Sequence, residues 1–251
     1  MERPVFAANW KMNLGPTAAR AFVADFIVRW PPSSDRTVVL FPPALSVAAV
    51  VTALREAARA DIAVGVQNIW TEDKGAFTGE NSAPQARDAG ARFVLVGHSE
   101  RRHVFGETDE QTALKCAAAS RNDLTPILCV GELLSQREGG ETESVVLRQL
   151  DTGLSRLSSA AVASMAIAYE PVWAIGTGKN ATPEDASTVH AEIRTALRAR
   201  IGDGANAIPI LYGGSVNPNN AGALLAATNV DGLLVGGASL ASADWTRLCG
   251  T

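Results

Sequence analysis

The chain is 251 residues long, 47% hydrophobic and 19% charged, with a formal net charge of −4. That balance suits a soluble globular protein. No apolar run approaches the roughly 18 residues of a bilayer span, and no Lys/Arg cluster beyond Arg101-Arg102 offers a footprint for nucleic acid, so neither membrane nor nucleic acid is an expected partner. Cys116, Cys129 and Cys249 are odd in number and scattered, and the first residues lack a basic-then-apolar leader pattern, so a reducing, cytoplasmic setting is expected.

In chain order, short apolar runs occupy residues 5–8, 38–41, 62–66, 93–96, 127–130, 165–168, 208–211 and 232–235. They recur every roughly 25 to 40 residues with helical patterns between them, the alternation expected of parallel βα units. Residues 44–60 and 190–201 read as helix. Thr108 with Gln111 and Ser82 with Gln85 match the capping box, while Thr182-Pro183 and Asn217-Pro218 place a cap residue before a proline at the first helical position. No linker-like or low-complexity tract divides the chain. The expected fold is therefore α/β, a (β/α)8 barrel forming one domain over residues 1–251. An open doubly wound sheet would carry a dinucleotide glycine fingerprint after its first strand, and Asn9-Trp10-Lys11-Met12-Asn13 stands there instead.

In such a barrel, residues just after the strands gather at one face. Four endings carry chemistry: Asn9 with Lys11, His98 with Glu100, Glu170, and Gly213-Gly214-Ser215. Pro171 has no N–H for a ladder and should stop the sixth strand at Glu170. The segment 171–179 then combines Trp173 and Ile175 with Gly176 and Gly178, a composition suited to a closing lid. Taken singly, Lys11 reads as a solvated lysine and His98 as a structural histidine; their shared position at strand ends is what argues for a site. A helical turn after His98 would favour a neutral imidazole that donates a hydrogen bond to a carbonyl. The glycine-rich endings at 212–215 and 235–239, with a short helix near Gly236, suit a phosphate group. No metal-ligand spacing or redox-cofactor motif is present, so no cofactor is expected. A carboxylate base, a lysine, an imidazole and a phosphate grip fit proton abstraction beside a carbonyl, through an enediolate. Another barrel enzyme acting on a sugar phosphate, such as an epimerase or an aldolase-type lyase, and a catalytically silent barrel remain as alternatives at this point.

The blocks at 9–13, 97–102, 129–132, 168–179, 212–216 and 234–240 together resemble the triosephosphate isomerase family, and the resemblance spans the chain. It implies Glu170 as the base, His98 as the neutral electrophile, Lys11 as the cation that stabilises the oxyanion, and Asn9 as its polar partner. Ser99 and Glu100 would support the site. Backbone N–H groups of Gly176, Ser215, Gly236 and Gly237 would hold the phosphate of a three-carbon substrate, and Ile175 and Leu234 would dry Glu170 and strengthen it as a base. The resemblance also implies a homodimer, in which the arm 68–82 reaches the partner with Thr78 near Asn9 and Lys11. Three positions depart from the family pattern: Ala8 where glycine is usual, Asn81 where a branched apolar residue is common, and Asn180 at the end of the lid. None replaces a catalytic group.

Overall fold

A computed structural model describes residues 1–175 and 181–251. Eight parallel strands close into a barrel in chain order: β1 (Val5–Asn9), β2 (Thr37–Phe41), β3 (Ile62–Val66), β4 (Phe93–Val96), β5 (Thr125–Val130), β6 (Ala166–Tyr169), β7 (Ile210–Tyr212) and β8 (Gly232–Val235). The ring shuts where β8 pairs with β1, Val5 opposite Gly232 and Ala8 opposite Val235. The expected (β/α)8 architecture is what forms. Two strand positions slip toward the C-terminus. Met165 N–H is taken by Val162 O at the end of a helix, so β6 begins at Ala166. Ile208 N–H likewise returns to Ala205 O, and Pro209 has no N–H to give, so β7 begins at Ile210.

Both faces of the strands are buried, which explains why they read as continuous apolar runs rather than as alternating ones. Val5, Ala7, Val39, Phe41, Leu95, Ile127, Cys129, Ala168 and Leu211 point into the barrel and fill it. Phe6, Ala8, Val38, Leu40, Val94 and Ile167 alternate with them and meet the helices outside. Ala8, one of the departures from the family pattern, belongs to this outer layer and is fully buried there.

The outer shell consists of α1 (Pro16–Arg29), α2 (Val47–Glu56), α3 (Ala83–Asp88), α4 (Ser99–His103), α5 (Asp109–Arg121), α6 (Leu134–Glu138), α7 (Thr142–Leu154), α8 (Ser159–Ala163), α9 (Pro183–Ile201), α10 (Ala221–Leu225) and α11 (Ser242–Cys249). The capping boxes of α3 and α5 form as expected, Gln85 N–H donating to Ser82 Oγ at 3.3 Å and Gln111 N–H to Thr108 Oγ1 at 3.2 Å. Thr182 caps α9 with Pro183 behind it. Two expectations need correction. Asn217-Pro218 does not start a helix: Asn217 accepts from Asn219 N–H and Asn220 accepts from Asn217 N–H, a local turn that delays α10 to Ala221. The helix expected over 44–60 opens as a 3-10 turn, Ala44–Ser46, and ends at Glu56 because Ala58 is left-handed at φ 54°.

Candidate active site

β4 ends at Val96, Gly97 turns the chain at φ 71°, and His98 becomes the N-cap of α4. β6 ends at Tyr169, leaving Glu170 as the next residue, with its N–H donated to Val130 O at 2.8 Å. Gly131 lies against that backbone so closely that a Cβ on it would stand 1.8 Å from Glu170 O. The Glu170 carbonyl is thus packed against the turn that follows β5.

Asn9, Lys11, His98, Glu170, Ile175, Ser215, Leu234, Gly236 and Gly237 all line one cavity of about 260 Å³ at the C-terminal mouth of the barrel. Five strand ends, those of β1, β4, β6, β7 and β8, thus deliver the expected residues to one place. Ser99 and Glu100 do not line it but act on those that do. Gly176 lies outside the described residues, as do Gly178 and Asn180.

The carboxylate and the imidazole face each other. His98 Nε2 is 3.0 Å from Glu170 Oε1, and Ser99 N–H donates to Glu170 Oε2 at 2.8 Å. His98 Nδ1 accepts the Glu100 N–H at 3.2 Å, so the ring proton belongs on Nε2, pointing at the carboxylate. An imidazolium would set Nδ1–H against that amide N–H. Burial lowers the pKa of His98, while the Glu170 carboxylate raises it more and draws the ring toward the imidazolium; the Glu100 N–H on Nδ1 opposes that second proton. For Glu170 the same burial raises the pKa, but His98, the Ser99 amide and Lys11 together outweigh it and leave it below the ordinary carboxylate value. Docked on His98 and Ser99, Glu170 is dry but held down by its partners.

Lys11 Nζ sits 2.6 Å from Glu100 Oε1. Its backbone is left-handed, φ 51°, unusual for a residue with a Cβ. Two side chains hold it there: Asn9 Oδ1 accepts its N–H at 3.0 Å, and Gln67 Nε2 donates to its carbonyl at 2.9 Å while also donating to Phe41 O. Gln67 was not among the expected site residues; a lone glutamine after β3 carries no local signal. Glu132 was quoted only as part of a motif. It is fully buried and accepts from Trp173 Nε1 at 2.8 Å and Tyr169 Oη at 3.1 Å, joining β5 to the start of the segment after Glu170. Arg137 covers the Trp173 ring at 4.5 Å and pairs with Asp185 in the first turn of α9.

Residues 4–251 match a family model described as triosephosphate isomerase. The chain is 48% identical to a triosephosphate isomerase of Moorella thermoacetica over 249 residues, 99% of this chain and 98% of that one. It is also 48% identical to one of Solibacter usitatus, covering 96% of each chain. A third relative of that name, from Symbiobacterium thermophilum, is 45% identical over 99% of this chain and 96% of its own length.

Proposed function

Because the chain belongs to the triosephosphate isomerase family, we propose that the residues gathered at its barrel mouth divide the work of that reaction as follows. The reaction itself interconverts dihydroxyacetone phosphate and D-glyceraldehyde 3-phosphate, a step of glycolysis and gluconeogenesis. Glu170 is the base that moves a proton between the two carbons. His98, neutral with its proton on Nε2, donates to the carbonyl oxygen as charge develops there, and Lys11 stabilises the same oxygen as a fixed cation. The observation that carries this reading is the 3.0 Å contact between His98 Nε2 and Glu170 Oε1. Substrate cannot fit between two groups so close, so it must take the Nε2–H for its own carbonyl and displace the carboxylate. Displacement strips Glu170 of the contacts that lower its pKa, while Ile175 and Leu234 keep water away. The base then gains strength at the moment it reaches the substrate carbon. A proton leaves that carbon for Glu170 and the enediolate forms; His98 gives its Nε2 proton to the former carbonyl oxygen and takes one from the neighbouring hydroxyl, and Glu170 returns its proton to the neighbouring carbon.

The phosphate belongs at Ser215, Gly236 and Gly237. A Cβ on Gly236 would lie 3.3 Å from Lys11 Cε, which supports placing the phosphate loop and the cation side by side, and a Cβ on Gly237 would meet nothing within 4 Å. Residues 176–179 of the expected lid, and with them the Gly176 contact, lie outside the described residues. A coupled assay of triose phosphate interconversion by the parent and Glu170→Asp tests the assignment. Shortening the carboxylate arm should lower turnover about 10²-fold with the fold retained, and parent-like turnover would overturn it.

The protein also works as a homodimer in the cytoplasm. Met12 is 95% exposed and Leu45 86%, large apolar groups beside a cavity lined by Lys11, Met12, Val47, Gln67 and Asn81. The arm that would fill a partner's cavity is closed at its base by Trp70 N–H donating to Asn81 O, and Phe77 stands 40% exposed beside Thr78 at its tip. Asn81 puts a polar group on that rim. Dilution below the dimer constant should cost activity, and sedimentation of a fully active monomer would remove the claim. Among the described residues no helix is long and apolar enough to cross a membrane. Residues 1–251 are read as one domain, since strands from both ends of the chain share a single ring.

A further inference from the structure

Two buried opposite charges lie outside the cavity, and the steps above use neither. The side chains of Glu107 and Lys115 are 1% and 2% exposed, with Lys115 Nζ 2.6 Å from Glu107 Oε2 and 2.7 Å from Asn68 Oδ1. Arg101 Nε reaches the same Glu107 oxygen at 3.2 Å. Burying such a pair adds little stability, because desolvation offsets the attraction and apolar residues of the same volume serve as well. Its place in the fold points to another role. The second oxygen, Glu107 Oε1, accepts the Gly97 N–H at 3.0 Å, while Arg102 Nε donates to Gly97 O at 2.7 Å. Gly97 is the left-handed residue that turns β4 into His98, and a Cβ on it would stand 2.7 Å from Arg102 Nη2. Both peptide groups of that turn are therefore pinned by charged side chains, and the imidazole projects from the residue that follows.

We infer that Glu107 is a positioning residue for His98: it grips the Gly97 N–H, fixes the turn from which the ring projects, and is itself held in place by Lys115. This rests on the reading of His98 as the donor to the substrate carbonyl. The ring's own anchor, the Glu100 N–H on Nδ1, spans 3.2 Å, so a small rotation of the turn is enough to lose it. With it goes the preference for the Nε2–H tautomer.

The decisive variant is Glu107→Met/Lys115→Met, which removes both charges together and leaves neither unpaired. The expected protein keeps the parent circular dichroism, has KM within about twofold of parent, and loses kcat by about 10- to 100-fold, the effect of a misaimed catalytic group. Ring ¹⁵N NMR of His98 should change from a single Nε2–H tautomer to a mixture. A folded double variant with parent kcat and an unchanged tautomer overturns the inference. Should that protein not fold, Glu107→Gln decides: the Lys115 ammonium is a stronger donor than the Gly97 amide and claims the one remaining oxygen, so kcat falls at unchanged KM with the same ¹⁵N change, and parent values of both overturn it. His98→Asn is measured beside them. If it keeps parent turnover, the reading of His98 itself has failed; if it loses turnover while the Glu107 variants do not, only the positioning role falls.

Discussion

The barrel carries charged clusters at both rims, and they are built differently. At the C-terminal mouth, Glu170 and His98 satisfy each other and one backbone amide, in contacts a ligand can replace. At the N-terminal rim, Asp231 accepts from Arg3 at 2.7 Å, from Arg194, and from Ile210 N–H at 3.0 Å, while Arg194 also donates to Ala205 O and Ile208 O. Every strong donor and acceptor in the second cluster is used by the protein itself. A saturated cluster ties loops together, whereas one whose partners are each other and a cavity can exchange them for substrate. The same contrast separates the two buried histidines. His98 points its Nε2–H at a carboxylate in the cavity. His190, fully buried, donates Nδ1–H to Asn229 O at 2.9 Å, its Nε2 has no hydrogen-bond partner among the described residues, and burial lowers its pKa to about 4.

His98→Asn should break the comparison most visibly. It removes the proton donor and lowers kcat by about 10³-fold, roughly 4 kcal/mol of barrier, while urea unfolding shifts little. Loss of stability with turnover intact would make the mouth cluster structural after all. Arg194→Met does the reverse. It strips Asp231 of one partner and two carbonyls of their donor, and should lower unfolding stability by roughly 3 to 4 kcal/mol with kcat per folded molecule unchanged. A large kcat defect in the folded variant would join the two rims functionally.

Acid sharpens the histidine contrast. The His190 pKa of about 4 lies below the ordinary value of 6.5, so on acidification the unfolded chain takes up this proton first. Its contribution is fully present above pH 6.5 and is lost as pH falls toward 4, roughly 3 kcal/mol in all. His190→Gln should therefore flatten the dependence of unfolding free energy on pH across that window by up to about one proton. An unchanged slope would mean that the buried ring is not what acid attacks. The smallest effect belongs to Thr182, whose Oγ1 accepts the Asp185 N–H at 3.1 Å at the start of α9. Thr182→Ala should cost about 1 kcal/mol of stability, read as a drop of a few degrees in thermal midpoint.

The site was legible to the extent that its chemistry sits at strand ends. Pro171 after Glu170, and the glycines at 213, 214, 236 and 237, are local signals that physics ties to strand termination and anion binding. Gln67, Glu107 and Lys115 gave no such signal. A glutamine that clamps Lys11 across 56 residues of sequence, or a carboxylate that holds Gly97 by one hydrogen bond, looks like any polar side chain until the chain is folded.

From the sequence alone follow eight strands with the order of their connecting helices, three of the caps, and the polar strand endings at Asn9, Lys11, His98, Glu170 and Ser215, because period, capping and strand stopping are written in neighbouring residues. Tertiary structure decided the rest. That β6 and β7 start late depended on Met165 and Ile208 spending their N–H groups in the preceding turns. That Glu170 is held down by its partners despite its burial depended on His98 and Ser99 lying within 3.0 Å of it, a distance set by the closure of the ring and by no residue near Glu170 in the chain. Charge interactions in a dry interior vary steeply with distance, and distance between remote residues exists only once the barrel has closed.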